Sequence, residues 1–274
     1  MHTQAEKGQI FADLHSQPDT FIIANPWDVG SARLMQGLGF KALATTSGGF
    51  AVALGKSDGE PTLAEKLAHC RAIAAATDIP LSADFEDGYA TDPEDVATNV
   101  AALIDTGVVG CSIEDFSRTD KKMIELPLAV ERIEAAVAVA AKQNFPFTLT
   151  ARAEHLLRVG RDLDEVIQRL QAYAAAGADV LFAPYIGSLE DLATVTDAIN
   201  KPFNLLGGVI PGATLADCQA AGAQRISIGG SLPYVAAKPI IAACETLLDN
   251  GSFDWLADMV PPKQITELMN KEPS

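Results

Sequence analysis

The chain has 274 residues, 48% of them hydrophobic, and carries 36 acidic against 20 basic side chains for a formal net charge of −16. That length supports a large buried core in one or two domains, and so acidic a chain with dispersed bases argues against a nucleic-acid partner. No apolar run reaches the roughly 18 to 20 residues that span a bilayer, and "MHTQAEKGQIFADLHSQ" lacks the basic start, apolar middle and cleavage site of a signal peptide. The expectation is therefore a cytoplasmic protein with no membrane partner. Cys70, Cys111, Cys218 and Cys244 form no CxxC pair, so neither a zinc site nor a disulfide framework is expected and the thiols should be reduced and mostly buried.

Residues before 20 read as an N-terminal helix. From there, short β-rich runs alternate with Ala-rich stretches of helical period. The strands are "FIIAN" from 21, "ALATTS" from 42, "PLSADFE" from 80, "GCSIEDF" from 110, "FTLTARA" from 147, "VLFAPY" from 180, "FNLLGG" from 203 and "RISIGGS" from 225. The helices between and after them are "SARLMQGLG", "TLAEKLAHCRAIAAAT", "PEDVATNVAALIDTG", "PLAVERIEAAVAVAAKQ", "DLDEVIQRLQAYAAAGA", "LEDLATVTDAIN", "TLADCQAAGA" and "VAAKPIIAACETLLDNG". Some ends are explicit: Asp92 with Pro93 opens one helix and Gly107 closes it, and Asp162 and Gly177 bound another. Eight βα units predict an α/β fold of the (β/α)8 TIM-barrel type, which typically takes about 250 residues. An open doubly wound sheet would show a Gly-rich dinucleotide turn after its first strand, and "ANPWDVGSARL" has none. The reading is one domain over 1–274, with a barrel core at about 20–249 and a C-terminal extension at 250–274. The extension carries Phe253, Trp255, Leu256 and Met259, which either cover the barrel or reach a neighbouring subunit.

Active sites of such barrels lie at the carboxyl ends of the strands, and polar residues gather there. In "SADFEDGYA", Asp84 and Glu86 share one face of the strand by alternation, with Ser82, while Asp87 points the other way. In "SIEDF", Ser112 and Glu114 share a face opposite Asp115. Asp84, Glu86 and Glu114 are thus expected to converge as a hard-oxygen metal site, suited to Mg2+ or Mn2+, with Asp87 and Asp115 in structural roles. Arg152, ending strand five, would hold a substrate carboxylate or pair with Glu154 or Glu114. Thr46, Ser47 and Gly48 in "ATTSGGFA" can bring backbone N–H groups to a ligand oxyanion, and Asn204 in "FNLLGG" is a further substrate-binding candidate. Asp58, in the polar loop "ALGKSDGEPTLAE", can act as part of a lid, and Gly229 and Gly230 stand where many barrels bind phosphate. No Ser-His-Asp triad is legible, and no strand carries a lysine for Schiff-base chemistry. Metal-assisted chemistry on an oxo-acid is left.

The segments "GFKALATTSGG", "LGKSDGE", "ADFEDGYA", "CSIEDF", "TARAE", "RLQAYAAAGADVLFAP" and "RISIGG" resemble, in order, the isocitrate lyase/phosphoenolpyruvate mutase superfamily over roughly residues 20 to 235. The resemblance implies a Mg2+-dependent barrel that makes or breaks C–C or P–C bonds beside a 2-oxo-acid carboxylate. It also implies a homo-oligomer, a tetramer or dimer whose eighth helices are exchanged between subunits. By resemblance Asp84 and Glu86 match the strand-three acidic pair around the metal, the second being usually Asp, and Glu114 matches the strand-four metal-shell acid. Arg152 matches the substrate arginine, Thr46, Ser47 and Gly48 the oxyanion-binding turn, and Asp58 the gating-loop acid. Isocitrate and methylisocitrate lyases carry Lys-Lys-Cys-Gly-His after strand four, whereas "SRTDKKMIELPLA" has neither Cys nor His, which argues against those two activities. Phosphoenolpyruvate mutases and phosphonopyruvate hydrolases place a His at the end of strand six, where this chain has "FAPY". The expectation is a lyase of the oxaloacetate decarboxylase-like or uncharacterised phosphonomutase-like branch, acting on a small 2-oxo carboxylate. P–C chemistry and a catalytically weak 2-oxo-acid binder are the alternatives, and Lys121, Lys122 and Tyr185 are the nearby substitutes for the missing general acid.

Overall fold

The computed structural model describes residues 1–271. Eight parallel strands form the barrel: β1 Phe21–Ile23, β2 Leu43–Ala44, β3 Leu81–Asp84, β4 Gly110–Glu114, β5 Thr148–Arg152, β6 Val180–Phe182, β7 Phe203–Leu206 and β8 Arg225–Ser227. Each strand lies beside its neighbour in sequence and β8 beside β1. A parallel bridge between Ala24 and Leu43 closes the ring. All eight predicted strands are present, within a (β/α)8 TIM barrel.

The helices begin and end where the sequence supplies caps. Asp92 accepts from Glu94 N–H at 2.8 Å with Pro93 at the first helical position, Asp162 accepts from Glu165 N–H at 3.1 Å, and Gly107 and Gly177 end their helices with φ of 96° and 100°. Outward strand residues such as Ile113, Leu149, Leu181 and Leu205 pack beneath the helices in one continuous core. Inside the barrel the composition changes. Asn25, Ser82, Ser112, Asn204, Arg225 and Ser227 line a cavity where barrels of this kind ordinarily carry branched aliphatic side chains.

The Gln4–Ser16 helix packs against the amino ends of the strands. Its Phe11 ring sits 3.0 Å from where a Cβ on Gly110 would lie, and its His15 meets Arg225. At the other terminus, the 20-residue Ser231–Asn250 helix buries only Pro233. Tyr234, Val235, Ile240, Ile241 and Leu248 on it are exposed. Of the two alternatives for the extension, Pro262–Met269 takes the first: it packs on the chain's own Val29–Leu38 helix, where Arg33 donates to Met269 O at 2.7 Å. Phe253, Leu256 and Met259 stay exposed. Cys70, Cys111 and Cys218 are buried and Cys244 is exposed.

Candidate active site

A cavity of about 650 Å3 opens at the carboxyl ends of the strands. Thr46, Ser47, Gly48, Asp58, Asp84, Arg152 and Asn204 all line it, as do Gly229, Gly230 and Tyr185. Most of the predicted constellation is therefore brought together.

The "TTSGG" segment ends β2 early, because Thr46 caps a short helix, Ser47–Ala53, and accepts from Gly49 N–H at 3.4 Å. The Ser47 N–H then donates to Asp84 Oδ2 at 2.9 Å. A Cβ on Gly48 would stand 3.7 Å from the Asp58 carboxylate, so Asp58 lies over that turn of backbone. Gly49 admits no side chain: a Cβ would approach Thr46 Cγ2 to 2.6 Å and Pro233 Cγ to 2.8 Å.

Asp84 ends β3 with a divided environment. Oδ2 is held by Ser47, while Oδ1 is buried without a hydrogen-bond partner, its nearest cation being Arg152 Nη1 at 4.0 Å. Burial raises its pKa, but Lys66, Arg152 and the Ser47 N–H outweigh burial and keep it below the ordinary aspartate value. Fully buried Lys66 donates to Thr45 Oγ1 at 3.1 Å, and the same oxygen accepts from Asp84 N–H at 3.0 Å. This lysine carries the counter-charge behind the site and sequence reasoning passed over it, because it sits on a helix rather than a strand.

Arg152 ends β5 among acids. Its Nε donates to Glu154 Oε1 at 2.5 Å and Nη1 lies 3.4 Å from Glu114 Oε2. Burial works against its charge, but Glu114, Glu154 and Asp84 more than offset it and hold the guanidinium protonated. Burial, against the pull of Arg152, drives the Glu114 carboxyl well above its usual range.

Glu86 and Glu114 do not line the cavity, and among the described residues no three His, Cys, Asp or Glu side chains form a ligand cluster. The strand alternation stops at Asp84, since Glu86 has φ of 47°. Its carboxylate instead accepts from Tyr89 Oη at 2.7 Å and lies 3.5 Å from Arg118. Asp87 organises the following turn by accepting from the Tyr89 and Arg118 N–H groups at 3.1 and 2.9 Å. Asp115, bound by Arg169, Tyr173 Oη and Glu154 N–H at 3.1, 2.6 and 2.8 Å, braces the wall behind Arg152. Of the substitutes for a general acid, Tyr185 lines the cavity and Lys121 and Lys122 do not.

A barrel with an acid at the end of β3, an arginine at the end of β5 and a hydroxyl-glycine helix start after β2 places the protein in the isocitrate lyase/phosphoenolpyruvate mutase superfamily of lyases and mutases. Residues 11–248 match the phosphoenolpyruvate phosphomutase family, and the chain belongs to it. It is 37% identical over 243 residues to an uncharacterised protein of Mycobacterium tuberculosis, covering 88% of this chain and 89% of that one. It is 32% identical to the 2-methylisocitrate lyase of Escherichia coli over 72% of this chain and 68% of the relative. Among solved structures, a lyase/mutase-type protein from Burkholderia cenocepacia superposes with a TM-score of 0.94 at 40% identity, covering 99% of each chain. Oxaloacetate acetylhydrolase bound to its product oxalate superposes at 0.88 with 28% identity, covering 98% of this chain and 95% of that one.

Proposed function

We propose that the protein is a Mg2+-dependent lyase that cleaves or forms a C–C bond, with or without decarboxylation, next to the carbonyl of a small 2-oxo carboxylate through an enolate. The observation that carries this reading is the buried, partnerless Asp84 Oδ1 facing a cavity that Arg152 also lines. An ionised oxygen removed from water needs a cation or a proton, and the forces on Asp84 keep it ionised. The donor set is all oxygen, with one free carboxylate oxygen on the cavity wall, which fits a hard cation that keeps most of its water. Asp84 would hold Mg2+, or Mn2+, and the ion, when bound, would polarise the 2-oxo oxygen, whereas Glu86, paired with Tyr89 and Arg118, and Glu114, paired with Arg152, lie outside the cavity lining.

The remaining roles fall to the chain's own groups. Arg152 holds the substrate carboxylate, fixed in place by Glu154. Ser47 N–H keeps Asp84 aimed, and Gly48 leaves the backbone open to an oxyanion. Asp58 closes the rim, and of the two phenols on the cavity wall, Tyr185 and Tyr234, Tyr185 is assigned as the proton donor. The exposed Ser231–Asn250 helix supports a further proposal, a homo-oligomer in which this helix is exchanged between copies.

The test is pyruvate formation from a panel of oxaloacetate, substituted malates and phosphonopyruvate with Mg2+, with and without EDTA. Turnover of a carbon acid that EDTA abolishes, and that Asp84→Ala removes together with Mg2+-dependent oxalate binding, is the expected result. EDTA-insensitive turnover defeats the metal mechanism, turnover of phosphonopyruvate alone assigns P–C chemistry, and tight oxalate binding without turnover assigns a binder.

A further inference from the structure

Arg225, the first residue of β8, is 5% exposed and forms part of the cavity wall, yet the reading above gives it no role. Of its five N–H donors, three meet neutral partners. Nε donates to Asn204 Oδ1 at 2.7 Å, one terminal nitrogen donates to Thr150 Oγ1 at 3.1 Å, and the other lies 3.2 Å from His15 Nε2. His15 Nδ1 sits 2.8 Å from the Phe11 carbonyl, so Nδ1 carries the ring proton and Nε2 offers Arg225 a lone pair.

Arg152 faces Glu114 and Glu154 and Arg169 faces Asp115, while Arg132, without an ion pair among the described residues, commits its donors to the carbonyls of Asp87, Ala90 and Glu114. Arg225 has no carboxylate within ion-pair distance among the described residues, and burial alone pushes its pKa down, to about 9. A cation kept in a barrel interior without a counter-ion is costly. Two of its N–H donors are uncommitted. Two residues further along β8 and on the same cavity wall, the Ser227 hydroxyl accepts from Asn204 Nδ2 at 3.0 Å and keeps its own proton to donate.

Depth follows from β5. Thr150 and Arg152 are two residues apart on one strand face, so the guanidinium bound to Thr150 lies one side-chain layer, about 6.6 Å, below Arg152. We propose that the deep end of the cavity is an anion subsite built on Arg225 and Ser227, which takes the distal carboxylate of a dicarboxylic substrate whose 2-oxo carboxylate lies at Arg152. The proposal rests on the 2-oxo-acid reading and narrows it from mono- or dicarboxylates to dicarboxylates.

Calorimetric titration in Mg2+ of two matched pairs tests it: oxaloacetate against 2-oxobutanoate, and 2-oxoglutarate against 2-oxopentanoate, each pair exchanging a distal carboxylate for a methyl group. The dicarboxylate of at least one pair should bind about tenfold or more tightly, the usual gain from hydrogen bonds to a charged group. Arg225→Met should abolish that preference and spare the monocarboxylate, while Arg225→Lys keeps part of it. Equal affinities within both wild-type pairs overturn the subsite whether or not the variants fold. If added chloride strengthens 2-oxobutanoate binding and oxaloacetate gains nothing, the pocket takes a free anion and the dicarboxylate assignment falls. Failure of oxalate to bind overturns the 2-oxo-acid reading itself, whereas oxalate binding without any preference overturns only the subsite.

Discussion

His15 is buried against a guanidinium, and this fixes both its tautomer and its charge. Burial first, then Arg225, lower its pKa to about 3, and burial first, then Lys66, lower that of His69 to about 4. Above pH 6.5 both rings are neutral in the folded and unfolded chains, so they add no pH dependence. Below 6.5 the unfolded chain takes up protons that the folded chain refuses, so stability falls as pH drops toward 4. The loss for His15 is about 1.4 kcal/mol per pH unit. His15→Gln should remove that share of the slope between pH 6 and 4, read as the difference from wild type in urea unfolding at each pH. An unchanged slope would show that His15 is protonated in the folded state. At this scale the sequence exposed Asp84 and Arg152 because a charge inside a strand is conspicuous. It hid Lys66 and Arg225, one because helices carry lysines routinely and the other because a lone Arg opening "RISIGG" shows nothing about its lack of an acid partner.

At the scale of elements, the Leu126–Ala140 helix holds the site from behind through Arg132, which is 1% exposed. Arg132 donates to the carbonyls of Asp87, of Ala90 at 3.1 Å and of Glu114 at 3.3 Å. It thereby ties the segment after β3 to the end of β4. Arg132→Met should cost about 3 kcal/mol or more, since buried carbonyls left unpaired cost about 1 to 3 kcal/mol each, and Arg132→Lys should restore only part. Denaturant midpoints measure this, and a loss under about 1 kcal/mol would show that water replaces the guanidinium. The strands themselves were legible, since periods of two and 3.6 alternate cleanly along the chain. Residues 85–90 were not, because alternation was carried past Asp84, and the left-handed backbone of Glu86 and Tyr89, with φ of 47° and 58°, leaves no mark in a pattern of apolar and polar residues. The same limit hid the short helix at Ser47, whose glycines read as a turn.

For the whole molecule, the feature out of keeping with a closed barrel is the Ser231–Asn250 helix, where an eighth crossover should cover the outside of β8 and β1. Ile22, on β1, is 38% exposed, and Val235, Ile240 and Ile241 on the helix are 65%, 63% and 56% exposed. An uncovered strand face and an uncovered helix face on one chain complement each other between two copies, which is the exchange proposed above. Light scattering behind size exclusion should report an oligomer, and Val235→Glu with Ile241→Glu should yield a folded monomer. A monomeric wild type would sink the proposal. The extension's apolar residues were readable as uncommitted surface, but the sequence could not divide them between the chain's own Val29–Leu38 helix and a neighbour. Gly49 joins these levels, since its missing side chain lets Pro233, the one buried residue of the long helix, rest against the helix start that orients Asp84. A single hydrogen atom at position 49 thus sets two clearances at once, the fit of the Thr46 cap on one side and the seat of the outgoing helix at Pro233 on the other, so neither dimension can be altered alone.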